Sequence, residues 1–230
     1  MDTTKIIKEL TVTELFKPNR TIAWERLSAF LYPWEALLHI KDFIVEIGSE
    51  LNSSEYEQRE GSVWIHKTAT IAPSASIGSF VIIGENANIR HGAYIRENAI
   101  VGSGAVVGNS TELKNVILFD NAQVPHYNYV GDSILGYKSH MGAGAITSNL
   151  KNDRSNISII FEDSRVETGL RKFGAILGDD VEVGCNSVLN PGSVIGAGSW
   201  VYPLSFVRGW VPKGRIYKRQ GEIVEMRNEE

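Results

Sequence analysis

Large aliphatic residues recur at every sixth position from Ile65: Ile71, Ile77, Ile83, Ile89, Ile95, Val101, Val107 and Leu113. If about a quarter of residues are of this kind, nine consecutive hits have odds on the order of 10⁻⁶ from any one start. The ladder is therefore a repeat. Four residues after each rung comes a second set, Ala69, Ala75, Val81, Ala87, Ala93, Ala99, Ala105 and Thr111. The ladder returns as Leu177, Val183, Leu189, Ile195, Val201 and Val207, now with Ser187, Ser193, Ser199 and Ser205 as small partners. A period of six matches neither a lone helix nor a lone strand. It matches a triangular coil with one inward aliphatic per side and a small residue near each bend, coils stacking at the ~4.8 Å of neighbouring strands. Glycine follows several rungs (Gly78, Gly84, Gly102, Gly108), where a sharp turn is expected. The fold expected over residues 61–212 is all-β, a parallel β-helix of hexapeptide repeats.

The flanks read differently. In residues 1–60, Leu37, Ile40, Ile44 and Ile47 fall at helical spacing, after Pro33 and before Gly48-Ser49. A helical cap over the open end of the solenoid is the plainer expectation for this segment. Partner binding is the other. Residues 213–230 open on a basic tail, Lys213 to Arg219, expected as a solvated terminal arm.

Composition removes several classes. With 23 basic and 27 acidic residues the net charge is −4, which argues against nucleic acid or an anionic membrane as partner. Cys185 is the only cysteine, so neither an internal disulfide nor a four-cysteine zinc site can form. Met1 to Lys5 lack a basic start followed by an apolar run, and no ~18-residue apolar stretch occurs; a cytoplasmic protein without a membrane span is expected.

The repeat falters where chemistry-bearing residues gather. Leu118, Val124, Val130, Leu135 and Met141 keep it with two five-residue steps, and residues 151–173 lose it, an expected loop insertion at a corner. Just before lie Val124 to Asp132 (VPHYNYVGD) and Gly142 to Asn149 (GAGAITSN), about one coil apart, with Glu112 and Lys114 a coil earlier and Arg90 another coil before.

These motifs, with Gly169 to Ala175 (GLRKFGA), resemble the acetyltransferase lobe of bacterial bifunctional UDP-N-acetylglucosamine synthesis enzymes. They also resemble the amino-sugar-1-phosphate acetyltransferase lobe of archaeal sugar-1-phosphate nucleotidyltransferases. The resemblance spans about residues 63–212 and implies a left-handed helix and a homotrimer with sites between subunits. It implies His126 as the base accepting a proton from the substrate amine, Glu112 as the carboxylate that orients it, and Asn149 at the sugar amine and acetyl donor. Arg90 and Lys114 match sugar-phosphate binders, and Tyr129 a further substrate contact. Ala143, Asn149, Leu150, Cys185 and Pro203 match acetyl-CoA positions.

The chain departs from that pattern. Ser155 stands where the bifunctional family has a phosphate-binding lysine, and Lys172 takes that place if a 17-residue insertion is allowed. His140 replaces an asparagine that contacts substrate, Cys185 a serine, and Pro203 an alanine. His140 can equally be an ordinary surface histidine, and Cys185 reads as a packing residue more readily than as a nucleophile.

The expected activity is acetyl-CoA-dependent N-acetylation of an amino-sugar 1-phosphate, glucosamine-1-phosphate first and galactosamine-1-phosphate second. A non-catalytic trimeric sugar-phosphate scaffold, or a partner of a separate uridylyltransferase, is the alternative. Pyrophosphorylase activity is not expected, because residues 1–60 are short and lack a glycine-rich phosphate loop. A zinc lyase on the same fold would need three histidine ligands, and His126 and His140 have no convincing third, so no metal is expected.

Overall fold

The computed structural model describes residues 6–219 and 222–226. From Val63 onward the chain winds into stacked parallel coils: strands Val63–His66, Ser76–Ile83, Tyr94–Val101, Glu112–Leu118 and Tyr129–Leu135 pair in order in one sheet. A second sheet carries the short strands between them, from Thr70–Ile71 through Gln123–His126 and His140–Met141 to Arg215–Arg219. Each long strand covers two sides of the triangle, bending at a left-handed residue: Phe80, Asn98, Asn115 and Asp132 all have φ between 47° and 57°. The second sheet is the third side. The expected parallel solenoid is what forms.

The ladder residues fill its interior. Ile83, Ile89, Ile95, Val101, Val107 and Leu113 are fully buried in one cluster with Leu177, Leu189, Ile195 and Val207. The serines of the later coils are buried too, and three spend their hydroxyls on backbone: Ser187 donates to the Tyr202 carbonyl, Ser193 to Asn190 and Ser199 to Pro212. The glycines after the rungs serve a purpose other than a turn. Gly108 is not left-handed, but a Cβ there would lie 1.6 Å from the Pro125 carbonyl oxygen of the next coil. Close stacking of coils is what excludes a side chain at that position.

Two flanking segments differ from expectation. In the N-terminal stretch only Tyr56–Arg59 covers the open end, pairing antiparallel with Val63–His66 at the edge of the first coil, and the helical part before it does not. It runs along the second side, its Leu10, Leu27, Trp34, Leu37, Ile40 and Ile44 packing on the outward column Ile82, Ile100, Ile117, Ile134, Ile176 and Val194. That column is why: a side apolar on both faces must be covered. The Asp179 amide donates to Leu15, Asp120 to Arg20, and the Asn115 side chain to Leu37, so the strap runs against the order of the coils. Its helix extends over Ile40–Glu50 after a 3₁₀ turn at Pro33–Leu38. The basic tail is likewise no free arm. Arg215–Arg219 adds a parallel strand on Trp200–Val201, Ile216 and Tyr217 are buried, and Glu222–Glu225 turns back antiparallel on it. The stretch 151–173 contains an antiparallel hairpin, Ser158–Phe161 with Ser164–Glu167, seated on the last coils by Phe161 and Trp210 rings 4.5 Å apart. Among the described residues no helix is long and apolar enough to cross a membrane.

Candidate functional site

Register assembles the sequence-selected residues on one side of the triangle and its two corners. At the first corner the backbone stacks His126 on Ala143, Ala143 on Cys185, and Cys185 on Pro203. The amides of Gly144, Asn186 and Leu204 donate to the carbonyls of His126, Ala143 and Cys185 in turn. The residue after each is left-handed, Tyr127, Gly144, Asn186 and Leu204, with φ between 51° and 72°. His126, Cys185 and Pro203 are exposed along this edge. Asn128 braces the corner, accepting from the His126 amide and donating to the carbonyls of Gly142 and Ala145.

The second corner is built around Asp132, which is buried and left-handed with φ 47°. Its Oδ1 accepts from Lys114 Nζ at 3.0 Å and from Asn115 Nδ2 at 3.0 Å. Its Oδ2 accepts from Asn149 Nδ2 at 2.5 Å. The same Asn149 amide group donates to the Tyr129 hydroxyl at 3.2 Å, which leaves Oδ1 of Asn149 as a free acceptor. Burial, and secondarily the Asp132 charge, push the Tyr129 phenol up, so it keeps its proton. Beside this corner a cleft of about 500 Å³ is lined by Leu37 of the strap together with Asn115, Asp132, Leu150, Arg171 and Lys172. Lys172 thus reaches the surroundings of Lys114 and Asn149 across the insertion, whereas Ser155 caps a turn by bonding Asp153.

On the side between the corners lies an ion pair. Glu112 faces Tyr129 in register, and its Oε1 is 3.0 Å from Nη1 of Arg96, whose guanidinium this bond holds more firmly protonated. Glu112 does not bond His126, and the His126 ring makes no hydrogen bond or ion pair among the described residues. Arg90 is also not where a phosphate binder beside Lys114 should be. It ends the strand Asn88–Ile89 on the third side, in register with Gly108. Arg96, one coil above Lys114 on the same outward column, is the cation in that place, and its separation of 114 − 96 = 18 residues from Lys114, one coil, was the available signal. His140, too, lies on the third side, paired in register with Gln123, and its Nδ1 is 2.8 Å from Oε2 of Glu182. Sequence reasoning missed Asp132, Asn115, Arg96 and Arg171.

Fold and site together define a hexapeptide-repeat solenoid with a polar side between two corners that gather the candidate residues. Residues 81–211 match the family described as GMPPB C-terminal domain, and the chain belongs to it. It is 35% identical over 115 residues to the bifunctional protein GlmU of Methanococcus aeolicus, covering 50% of this chain and 28% of the relative. It is 34% identical over 109 residues to the bifunctional sugar-1-phosphate nucleotidylyltransferase/acetyltransferase of Sulfurisphaera tokodaii, covering 47% of this chain and 27% of the relative. The chain therefore matches less than a third of the length of either. A hexapeptide transferase family protein from Anaplasma phagocytophilum aligns in structure at 21% identity and TM-score 0.42, covering 73% of this chain and 82% of that one.

Proposed function

We propose that the chain is a cytoplasmic, homotrimeric, acetyl-CoA-dependent N-acetyltransferase whose acceptor is an amino-sugar 1-phosphate, glucosamine-1-phosphate before galactosamine-1-phosphate. The observation that carries the reading is the distribution of His126, Glu112, Lys114, Tyr129 and Asn149 on adjacent coils of one side and its corners. The named acetyltransferase and sugar-1-phosphate activities of the relatives agree with it.

The chemistry follows from the groups present. The acceptor nitrogen attacks the thioester carbonyl, the carbon–sulfur bond breaks, and coenzyme A leaves as thiolate. The proton lost by nitrogen passes to His126, which returns it to the sulfur. The edge Ala143–Cys185–Pro203 offers a shallow track for the donor. Arg96, Lys114 and Lys172 supply cations for the phosphate, and the free Oδ1 of Asn149 accepts from the amine. A phosphate that draws Arg96 away from Glu112 frees that carboxylate to orient the imidazole. The full side of the triangle separating His126 from the Lys172 cleft supports a site shared between subunits.

One observation favours the non-catalytic scaffold: the His126 ring has no partner while Glu112 is engaged by Arg96. Release of free thiol from acetyl-CoA, measured against a panel of amino sugars and their phosphates, separates the two readings. Turnover restricted to 1-phosphates and lost by ~10²-fold or more in His126→Ala supports transfer. Absence of turnover with saturable sugar-phosphate binding makes the chain a scaffold.

A further inference from the structure

A second cleft, of about 370 Å³, opens between the hairpin of residues 158–167 and the last coils. Its polar wall holds Lys151, Arg165 and Arg208 with Ser148 and Asn190, and Leu150, Ile160 and Pro191 supply apolar surface. Asp153 is the acid in the lining, so three cations face one carboxylate. Ser155 satisfies that carboxylate through both its amide and its hydroxyl. Lys151 spends its ammonium on the Asn156 carbonyl at 2.6 Å. Arg165 and Arg208, by contrast, take part in no ion pair among the described residues, in a chain whose net charge is −4. Two unneutralised guanidiniums brought to one concave wall from segments far apart in sequence repel each other unless an anion sits between them.

The wall is preformed. Phe161 packs tilted against Trp210, and Ile159 of the hairpin and Ile157 just before it are fully buried. Gly209, left-handed with φ 80°, lets the Ile160 carbonyl come within 2.5 Å of where a Cβ would be, so the hairpin cannot ride further out without losing this contact. Arg208 falls on the same outward column as Lys114, through Ser148 and Asn190, yet lies four coil positions away, about 19 Å at the strand spacing. Arg208 is thus remote from Lys114, although the two clefts adjoin at Leu150.

We propose that this cleft is a second anion site that binds the phosphate of an organic phosphate, gripped by Arg165 and Arg208, with the organic part resting on Leu150, Ile160 and Pro191. The proposal does not depend on the acetyl-transfer reading. Bidentate guanidinium contacts suit phosphate geometry, and the mixed polar and apolar lining suits a nucleotide better than a bare ion.

Calorimetric titration of the full chain with inorganic phosphate and with ADP tests it. Saturable ADP binding, weakened about tenfold or more in each of Arg165→Ala and Arg208→Ala and unchanged in Lys172→Ala, is the expected result. Both arginines are exposed, and unchanged melting of the variants verifies their folding. An excess of acetyl-CoA distinguishes the source. Displacement of ADP assigns the site to the nucleotide end of the donor, and persistence assigns it to an independent organic phosphate. Binding that Lys172→Ala removes and the arginine variants keep overturns the proposal. So does the absence of saturable binding of either probe up to roughly 10 mM.

Discussion

Lys114 Nζ lies 3.0 Å from Oδ1 of Asp132 on the next coil, both side chains withdrawn from solvent at 17% and 6% exposure. That one carboxylate also accepts from Asn115 and Asn149, so three donors from two separate stretches of chain share a single hub. Replacing Asp132 by Asn keeps the size but removes the charge, and places an amide donor opposite three donors. Breaking a buried pair from one side costs several kcal/mol; the partial exposure of Lys114 reduces that to about 2 kcal/mol. Urea unfolding of Asp132→Asn measures it. A double-mutant cycle with Lys114→Met should return a coupling of about 1 kcal/mol or more, and a value near zero contradicts the hub.

The two arginines separate two placements of the acceptor phosphate. Arg96 pairs with Glu112 one coil above Lys114, whereas Arg90 sits on the third side. Under the acetyltransferase reading, Arg96→Ala raises the KM for the sugar phosphate by roughly tenfold or more, because it removes a charge-assisted contact. Arg90→Ala leaves KM within about twofold. Steady-state kinetics with both variants decide between them, and the reverse order would move the phosphate to the third side.

The solenoid was readable because its interior demands one aliphatic every six residues, and nothing else in protein structure imposes that period over so many turns. His126, Ala143, Cys185 and Pro203 came from the resemblance to the acetyltransferase lobe, and the repeat register then accounts for their alignment on one edge. The strap was misjudged because its signal lay in the partner surface. The runs Val81–Ile83, Ala99–Val101 and Val116–Leu118 are apolar at the middle, outward residue as well as at the inward two. Such a run means a side covered on both faces. Arg90 rests on the family resemblance alone, whereas Arg96 precedes Lys114 by 18 residues, one coil, and so shares its column. The role of Asp132 was not legible at all, since a hub is defined by how many donors converge on it and sequence spacing does not count them.

Asp179 pins the strap, accepting from the amides of Lys17 at 2.8 Å and Tyr137 at 2.9 Å. Burial raises its carboxyl above the ordinary value of 3.8, and the two amide bonds only partly offset this. The folded protein therefore holds this proton more tightly than the unfolded chain. Stability from this group falls as pH rises from the unfolded value through the raised folded one. Asp179→Asn cannot titrate and loses one of the two amide contacts, so it is less stable at low pH. Its deficit relative to the parent should narrow as pH climbs. Urea midpoints at about pH 4.5 and about pH 7.5 check this, and a deficit that widens with pH refutes the burial argument.

Gly108 and Gly198 distinguish crowding from backbone strain as the reason for glycine in the coils. At Gly108 a Cβ would meet the Pro125 carbonyl oxygen at 1.6 Å, while at Gly198 nothing lies within 4 Å but φ is +66°. Gly198→Ala costs only the left-handed penalty, about 1 kcal/mol. Gly108→Ala must push two coils apart, which costs about 1–3 kcal/mol or more, because the offending atom is backbone and cannot rotate away. Pro125 immediately precedes His126, so the displacement also shifts the imidazole at the first corner. Under the acetyltransferase reading, Gly108→Ala should therefore lose both urea resistance and acetyl transfer, while Gly198→Ala loses a little of the first and keeps the second. Equal stability losses in the two variants would mean that neighbouring coils yield freely, and the close stacking that sets the His126 edge would then not be what holds it.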